Sequence, residues 1–114
     1  MRVLVCGSRN YRDRNHVFRA LDMRHASSPI AVILHGGATG ADAMAAEWAS
    51  ENAVEALEYL ADWKKLGPHA GPKRNADMIK YGQPDLVIAF PGNSGTEDMV
   101  DKAERAGIEV ERID

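Results

Sequence analysis

The sequence predicts an α/β protein, a three-layer sandwich of about five mostly parallel strands with helices on both faces. Three runs, Val3-Leu4-Val5-Cys6, Ile30-Ala31-Val32-Ile33-Leu34 and Leu86-Val87-Ile88-Ala89-Phe90, are continuously apolar rather than alternating, as strands covered on both faces are. Segments of helical period separate them, and strands alternating with helices imply parallel pairing through right-handed crossovers. A length of 114 residues with 45% hydrophobic content suits one domain over residues 1–114.

The elements follow in order. The first strand is Val3–Cys6, and Val17, Phe18 and Leu21 after Asp13 mark the first helix. The second strand, Ile30–Leu34, leads into Ala41, Met44, Ala45, Trp48 and Ala49, an apolar stripe at i, i+3, i+4, i+7 and i+8. Ala53–Tyr59 is a weaker strand. Leu60 to Gly71 has no clear period and reads as a functional loop. Lys73-Arg74 open the third helix, with Met78 and Ile79 on its inner face. Leu86–Phe90 is the fourth strand, Met99, Val100 and Ala103 mark the fourth helix, and Ile108–Arg112 after Gly107 is a weaker last strand.

Composition excludes several classes. One cysteine cannot form an internal disulfide, and no run approaches the ~18 apolar residues of a membrane span, so a reducing, cytoplasmic setting without membrane contact is expected. His16, His25 and His69 lack metal-ligand spacing, so neither metal nor cofactor is assigned. A net charge of −3 argues against coating nucleic acid. The charge is uneven: residues 1–25 hold six Arg against two Asp, giving +4, and residues 97–114 hold seven acids against three bases, giving −4.

Most of the ten glycines fall just after predicted strands: Gly7 in Gly7-Ser8-Arg9, then His35-Gly36-Gly37-Ala38-Thr39-Gly40-Ala41-Asp42, then Pro91-Gly92-Asn93-Ser94-Gly95-Thr96. In an open parallel sheet the crevice beyond the carboxyl ends of the strands is where ligands bind. Glycine lets backbone N–H groups approach a ligand, and a helix N-terminus adds positive potential, so phosphate is the natural guest. Arg9, Arg12, Arg14, Lys73 and Arg74 place cations near the same edge, and Arg makes forked contacts to phosphate. Ser94 with Glu97, and Thr39 with Asp42, have capping-box spacing, a reading compatible with ligand contact. His35 either meets ligand or bonds the next turn. Asp42 is either a cap or a ribose ligand. Tyr59 and Trp63 are core aromatics or base-stacking ones, and Cys6 is a small buried hydrophobe. Neither Gly-x-Gly-x-x-Gly nor the Gly-x-x-x-x-Gly-Lys-Ser/Thr phosphate loop is present, which disfavours a dinucleotide dehydrogenase and a P-loop nucleotidase.

Four blocks, Val5–Arg9, His35–Asp42, Ala61-Asp62-Trp63 through Gly71–Asn75, and Pro91–Thr96, make the chain resemble the SLOG superfamily of Rossmann-like domains, most closely the small YspA-like branch related to YpsA. More distantly it is similar to the LOG nucleoside-monophosphate phosphoribohydrolases and the DprA-type DNA-processing proteins. The resemblance implies a site for a small nucleotide-like ligand built from Gly7, Ser8, Arg9, His35, Gly36, Gly37, Thr39, Gly40, Asp42, Arg74, Asn75, Pro91, Gly92, Asn93, Ser94, Gly95 and Thr96. LOG enzymes carry Pro-Gly-Gly-x-Gly-Thr-x-x-Glu and a catalytic Arg. Here Pro91, Gly92, Gly95, Thr96 and Arg74 are kept, Asn93 replaces the second Gly, and Met99 stands where the Glu would be. A thioether cannot do a carboxylate's work, and adjacent Asp98, turned ~100° along a helix, is expected to face elsewhere. Three functions follow: nucleotide binding; hydrolysis of an N-glycosidic or phosphate bond, with Arg74, Asp98 or Asp42 as acid or base; and DNA-processing accessory work, which the acidic balance opposes. The likeness to LOG proteins and the Ala41, Ala45, Ala46 and Ala49 face also imply a homodimer.

Overall fold

The computed structural model describes residues 1–114. Five strands, β1 (Arg2–Cys6), β2 (Val32–His35), β3 (Glu55–Glu58), β4 (Leu86–Ala89) and β5 (Glu109–Arg112), form one sheet in the order β3-β2-β1-β4-β5, and every pairing is parallel. Central strands β2 and β4 are buried at all four positions, while the outer β3 and β5 are mostly exposed and carry Glu55, Glu58, Glu109 and Glu111. Carboxylates on edge strands discourage edge-to-edge pairing with another chain.

Alternation along the strands divides the core in two. Val3, Val5, Ile33, Leu86 and Ile88 face α1 (Arg14–Ser27) and α2 (Ala41–Glu51), whereas Leu4, Val32, Leu34 and Val87 face α4 (Ala70–Gly82) and α5 (Ser94–Arg105). These are three layers, helices over both faces, as the sequence predicts. Trp48 is wholly buried between α1 and α2, its indole N–H donating to Asp22 at 2.8 Å. On α2, Ala41, Ala45 and Ala49 are packed inside this layer. Three of the four alanines of that face are therefore packed within the chain, and Ala46 is half-buried.

The Leu60–Gly71 segment departs from expectation, being ordered as a one-turn helix α3 (Trp63–Leu66) and a 3-10 turn over Gly67–His69. Asp62 caps α3 by accepting from the Lys65 N–H at 3.1 Å, and Gly67, at φ +56°, ends it. Helix α4 then starts at Ala70 rather than at Lys73. Pro72 is tolerated because a first-turn N–H has no intrahelical partner. Arg74 consequently sits in the second turn of α4.

The chain crosses from β3 at one edge to β4 on the far side of β1, so the strand order reverses between β1 and β4. The loops leaving the carboxyl ends of those two strands diverge to opposite faces, and that divergence opens a crevice.

Candidate functional site

A cleft of about 540 Å³ lies at this switch point. Cys6, Gly7 and Arg9 reach it from the β1 side, Gly36, Ala38 and Asp42 from the β2–α2 turn, and Asn93–Thr96, Asp98 and Met99 from the start of α5. Trp63, Pro68, Gly71, Pro72, Arg74, Asn75 and Met78 complete it from the segment that crosses the sheet.

Three glycine turns build its floor, and they are stitched to one another through Ser8. The Ser8 N–H donates to the Pro91 carbonyl at 2.9 Å, the Ser8 carbonyl accepts from Tyr11 at 3.1 Å and Ala41 at 3.4 Å, and its hydroxyl accepts from the Asn10 N–H at 3.0 Å. The Thr39 hydroxyl donates to the Arg9 carbonyl at 2.8 Å. Gly40 has φ +77° and ψ −130°, and the backbone of Ser8 and Arg9 occupies the place of a Cβ. At Gly92 that place is taken by Thr96, and at Gly37 by Glu58. Ser8, His35, Gly37, Thr39, Gly40, Pro91 and Gly92 do not line the cleft itself.

The β2–α2 turn is self-liganded. An Asp42 carboxylate oxygen accepts from the N–H groups of Gly36 at 2.9 Å and Ala38 at 3.4 Å, and His35 Nδ1 accepts from Gly37 at 3.1 Å. Of the two openings left for His35, the bond to the next turn is the one present. Burial raises the Asp42 pKa, against the pull of the two backbone N–H groups, His35 and Arg74. Neither capping box forms: Gly40 caps α2 without a side-chain bond, and Asn93 caps α5 by accepting from the Gly95 N–H at 3.2 Å. Ser94 falls inside α5, and Glu97 forms a two-pronged pair with Arg112, both contacts 2.9 Å.

At the start of α5 the backbone N–H groups of Ser94 and Thr96 have no partner within the chain. Asn75, 5% exposed, ties this turn to α4. Its amide donates to the Gly95 carbonyl at 3.2 Å and to Asp98 at 3.0 Å, and its oxygen accepts from Arg74 Nε at 3.0 Å. Arg74 also donates through Nη1 to the Gly36 carbonyl at 2.9 Å, leaving Nη2 unbonded. No carboxylate lies within ion-pair distance of Arg9 or Arg74. The other cations expected here are absent from the lining: Arg14 pairs with Glu47 and Glu51, Lys73 pairs with Asp77, and Arg12 lies outside it.

Asp98 corrects an expectation, since it and Met99 both line the cleft. Asn75 reaches across from α4 and Lys102 from the next turn of α5, its Nζ 2.5 Å from Asp98, and together they hold the carboxylate at the cleft wall. Burial raises the Asp98 pKa, but the bonds from Lys102 and Asn75 outweigh it and leave the group below its usual value. Cys6, expected as a small buried hydrophobe, also lines the cleft. Burial, with Asp42 and Glu97 nearby, pushes its thiol up to about 12. The two weighed aromatics separate: Tyr59 packs into the core with Met78, while Trp63 is 58% exposed and lines the cleft.

A parallel sheet of this order with its cleft at the switch point defines a Rossmann-like α/β protein. The chain belongs to the YAcAr family, described as the YspA, cpYpsA-related SLOG family, whose profile matches residues 1–66. It is 42% identical over 117 residues to the Gene 61 protein of Mycobacterium phage D29, covering 96% of this chain and 93% of that protein. Among solved structures, the structural-genomics target TM1055 matches at a TM-score of 0.73 and 18% identity, over 96% of this chain and 71% of that one. DNA processing protein A (DprA) from Streptococcus pneumoniae matches at 0.78 and 19% identity, over 99% of this chain and 50% of that one. At these identities the likeness is one of fold, and this chain spans half the length of DprA.

Proposed function

We propose that the cleft binds a nucleotide or nucleotide-derived small ligand, its phosphate against the first turn of α5. The observation that carries this reading is a convergence on one cleft. Two unpartnered backbone donors, Ser94 and Thr96, meet two arginines free of carboxylate partners, Arg9 and Arg74. A helix N-terminus with open N–H groups attracts an anion, and a guanidinium with a free arm neutralises it. Membership of the SLOG family supports a nucleotide-related role in general terms.

The test is a thermal-shift screen of the purified protein against nucleoside mono- and diphosphates, cyclic nucleotides, NAD and ADP-ribose. A ligand at about 100 times its Kd contributes ~2.7 kcal/mol. The expected result is a raised Tm that disappears in Arg74→Ala; no shift with any compound, or an undiminished shift in the variant, overturns the reading.

Cleavage of an N-glycosidic bond is a second reading, favoured by Asp98 on the cleft wall, linked to Arg74 through Asn75. A carboxylate there would stabilise the oxocarbenium-like charge that develops on the ribose as the base departs with the bonding electron pair, which the neighbouring Met99 cannot do. Release of free base from a nucleoside monophosphate, abolished in Asp98→Asn, supports it; unchanged nucleotide after prolonged incubation excludes it for the compounds tried. Salt-sensitive retention of single-stranded DNA without any small-ligand shift would move the function toward DNA processing.

A further inference from the structure

Trp63 is one of four large hydrophobic side chains exposed on the molecule, and of those four it alone lines the cleft. Its ring is not free to fold away. The edge of the indole lies over Gly71, where a Cβ would stand 3.0 Å from the ring, so the absence of a side chain at Gly71 seats the indole against α4. The one-turn helix that carries it is fixed at both ends, by the Asp62 cap and the Gly67 turn. An exposed aromatic held in this way costs apolar hydration and contributes little to the core, which suits a surface waiting for a planar partner.

We infer that Trp63 is a stacking platform for a nucleobase, and that it selects for the presence of a base without identifying which base. The inference rests on the nucleotide reading above and extends it. The segment that carries Trp63 also contributes Pro68, Gly71 and Pro72 to the cleft, and none of these has a side-chain hydrogen-bonding group. A base lying there meets ring faces, methylenes and one indole N–H, not a fixed array of donors and acceptors that could read its edge. Stacking is tolerant of sequence because every base has a π-face. The lining includes both the cations Arg9 and Arg74 and the apolar surface of Trp63, Pro68 and Pro72, so one site can both anchor a phosphate and detect a base.

The experiment is a fluorescence and thermal-shift titration of the full chain with AMP, CMP, GMP, UMP and ribose 5-phosphate. The second tryptophan, Trp48, is wholly buried, so quenching by a base reports Trp63. All four nucleotides should quench the emission and bind within about tenfold of one another, and ribose 5-phosphate should bind more weakly with no quenching. Trp63→Leu should lower nucleotide affinity by about tenfold or more, bringing it toward that of ribose 5-phosphate, whose own affinity stays unchanged; Trp63→Phe should retain most of the difference. Equal binding of nucleotides and ribose 5-phosphate, both lost in Arg74→Ala, would overturn the platform while leaving an anion site standing. A preference for one base above tenfold would overturn base indifference. Binding of none of the five overturns the nucleotide reading and this inference with it.

Discussion

Replacing Gly40 by alanine should destabilise the protein far more than replacing Gly107, although both have nearly the same φ, +77° and +76°. At Gly107 an added Cβ meets nothing within 4 Å, so only the conformational strain of a positive φ is felt, about 1 kcal/mol. At Gly40 the backbone at ψ −130° lies outside the left-handed helical region and is nearly glycine-only, on the order of 1–3 kcal/mol of strain. The new methyl would also lie 2.6 Å from the Arg9 carbonyl carbon, a backbone atom that a rotamer change cannot move. Overpacking of this kind adds roughly 1–3 kcal/mol. The expected loss is about 2–6 kcal/mol for Gly40→Ala, a large share of the roughly 5–15 kcal/mol that holds a domain together. In differential scanning calorimetry the Tm should fall by at least ~10 °C, against ~5 °C for Gly107→Ala. Equal losses would refute the packing account. A Gly40→Ala protein as stable as Gly107→Ala but unable to bind nucleotide would return Gly40 to the ligand contact expected from sequence.

Asn75→Ala should remove three hydrogen bonds at once, leaving Arg74 Nε without its acceptor and the Asp98 carboxylate with Lys102 alone; a loss of about 1–3 kcal/mol in urea denaturation is expected, with a weakened nucleotide response. Asp98 has a folded-state pKa below its unfolded value, so its stabilisation is present above about pH 4 and is lost as pH falls through the folded value. Asp98→Asn should therefore be less stable than the parent at pH 7, and the gap should narrow as pH falls below about 4 in acid titrations followed by circular dichroism. Cys6, with its thiol near 12, has a thiolate fraction of about one in ten thousand at pH 8, so alkylation by iodoacetamide should be slow in the folded protein and fast in urea; rapid alkylation of the folded form would contradict the burial.

The parts of the fold that were plain in the sequence are those where burial writes an unbroken apolar run. β1, β2 and β4 are covered on both faces, and Val3–Val5, Val32–Leu34 and Leu86–Ala89 admit no polar residue. Edge strands β3 and β5 read weakly because half their positions are solvated glutamates. Helix α3 was missed because four residues are too few to show a period, and its one local signal is Asp62 three residues ahead of Lys65. In the cleft, the glycine turns located the region, but a glycine in a sequence does not disclose what fills the space of its missing Cβ. At Gly40, Gly92 and Gly37 the filler is the chain itself. The positions of the cations misled in a similar way, because Arg14 and Lys73 have carboxylate partners supplied by Glu47, Glu51 and Asp77. Asp98 was placed wrongly by treating its helix in isolation, since Asn75, which helps hold it at the cleft, arrives from α4.

Asp42 gives the β2–α2 turn a property that bears on kinetics. Because the chain supplies its own carboxylate to the Gly36 and Ala38 amides, that turn already has its anion before any ligand arrives. In the proposed binding mode no segment on this side of the cleft would have to collapse around an incoming phosphate, so the ordering entropy that slows association of flexible loops would not arise there. Capture in that mode would be a single encounter with a preformed wall, its rate set by diffusion and by the attraction of Arg9 and Arg74, and sensitive to salt in the measure that those two charges remain unshielded.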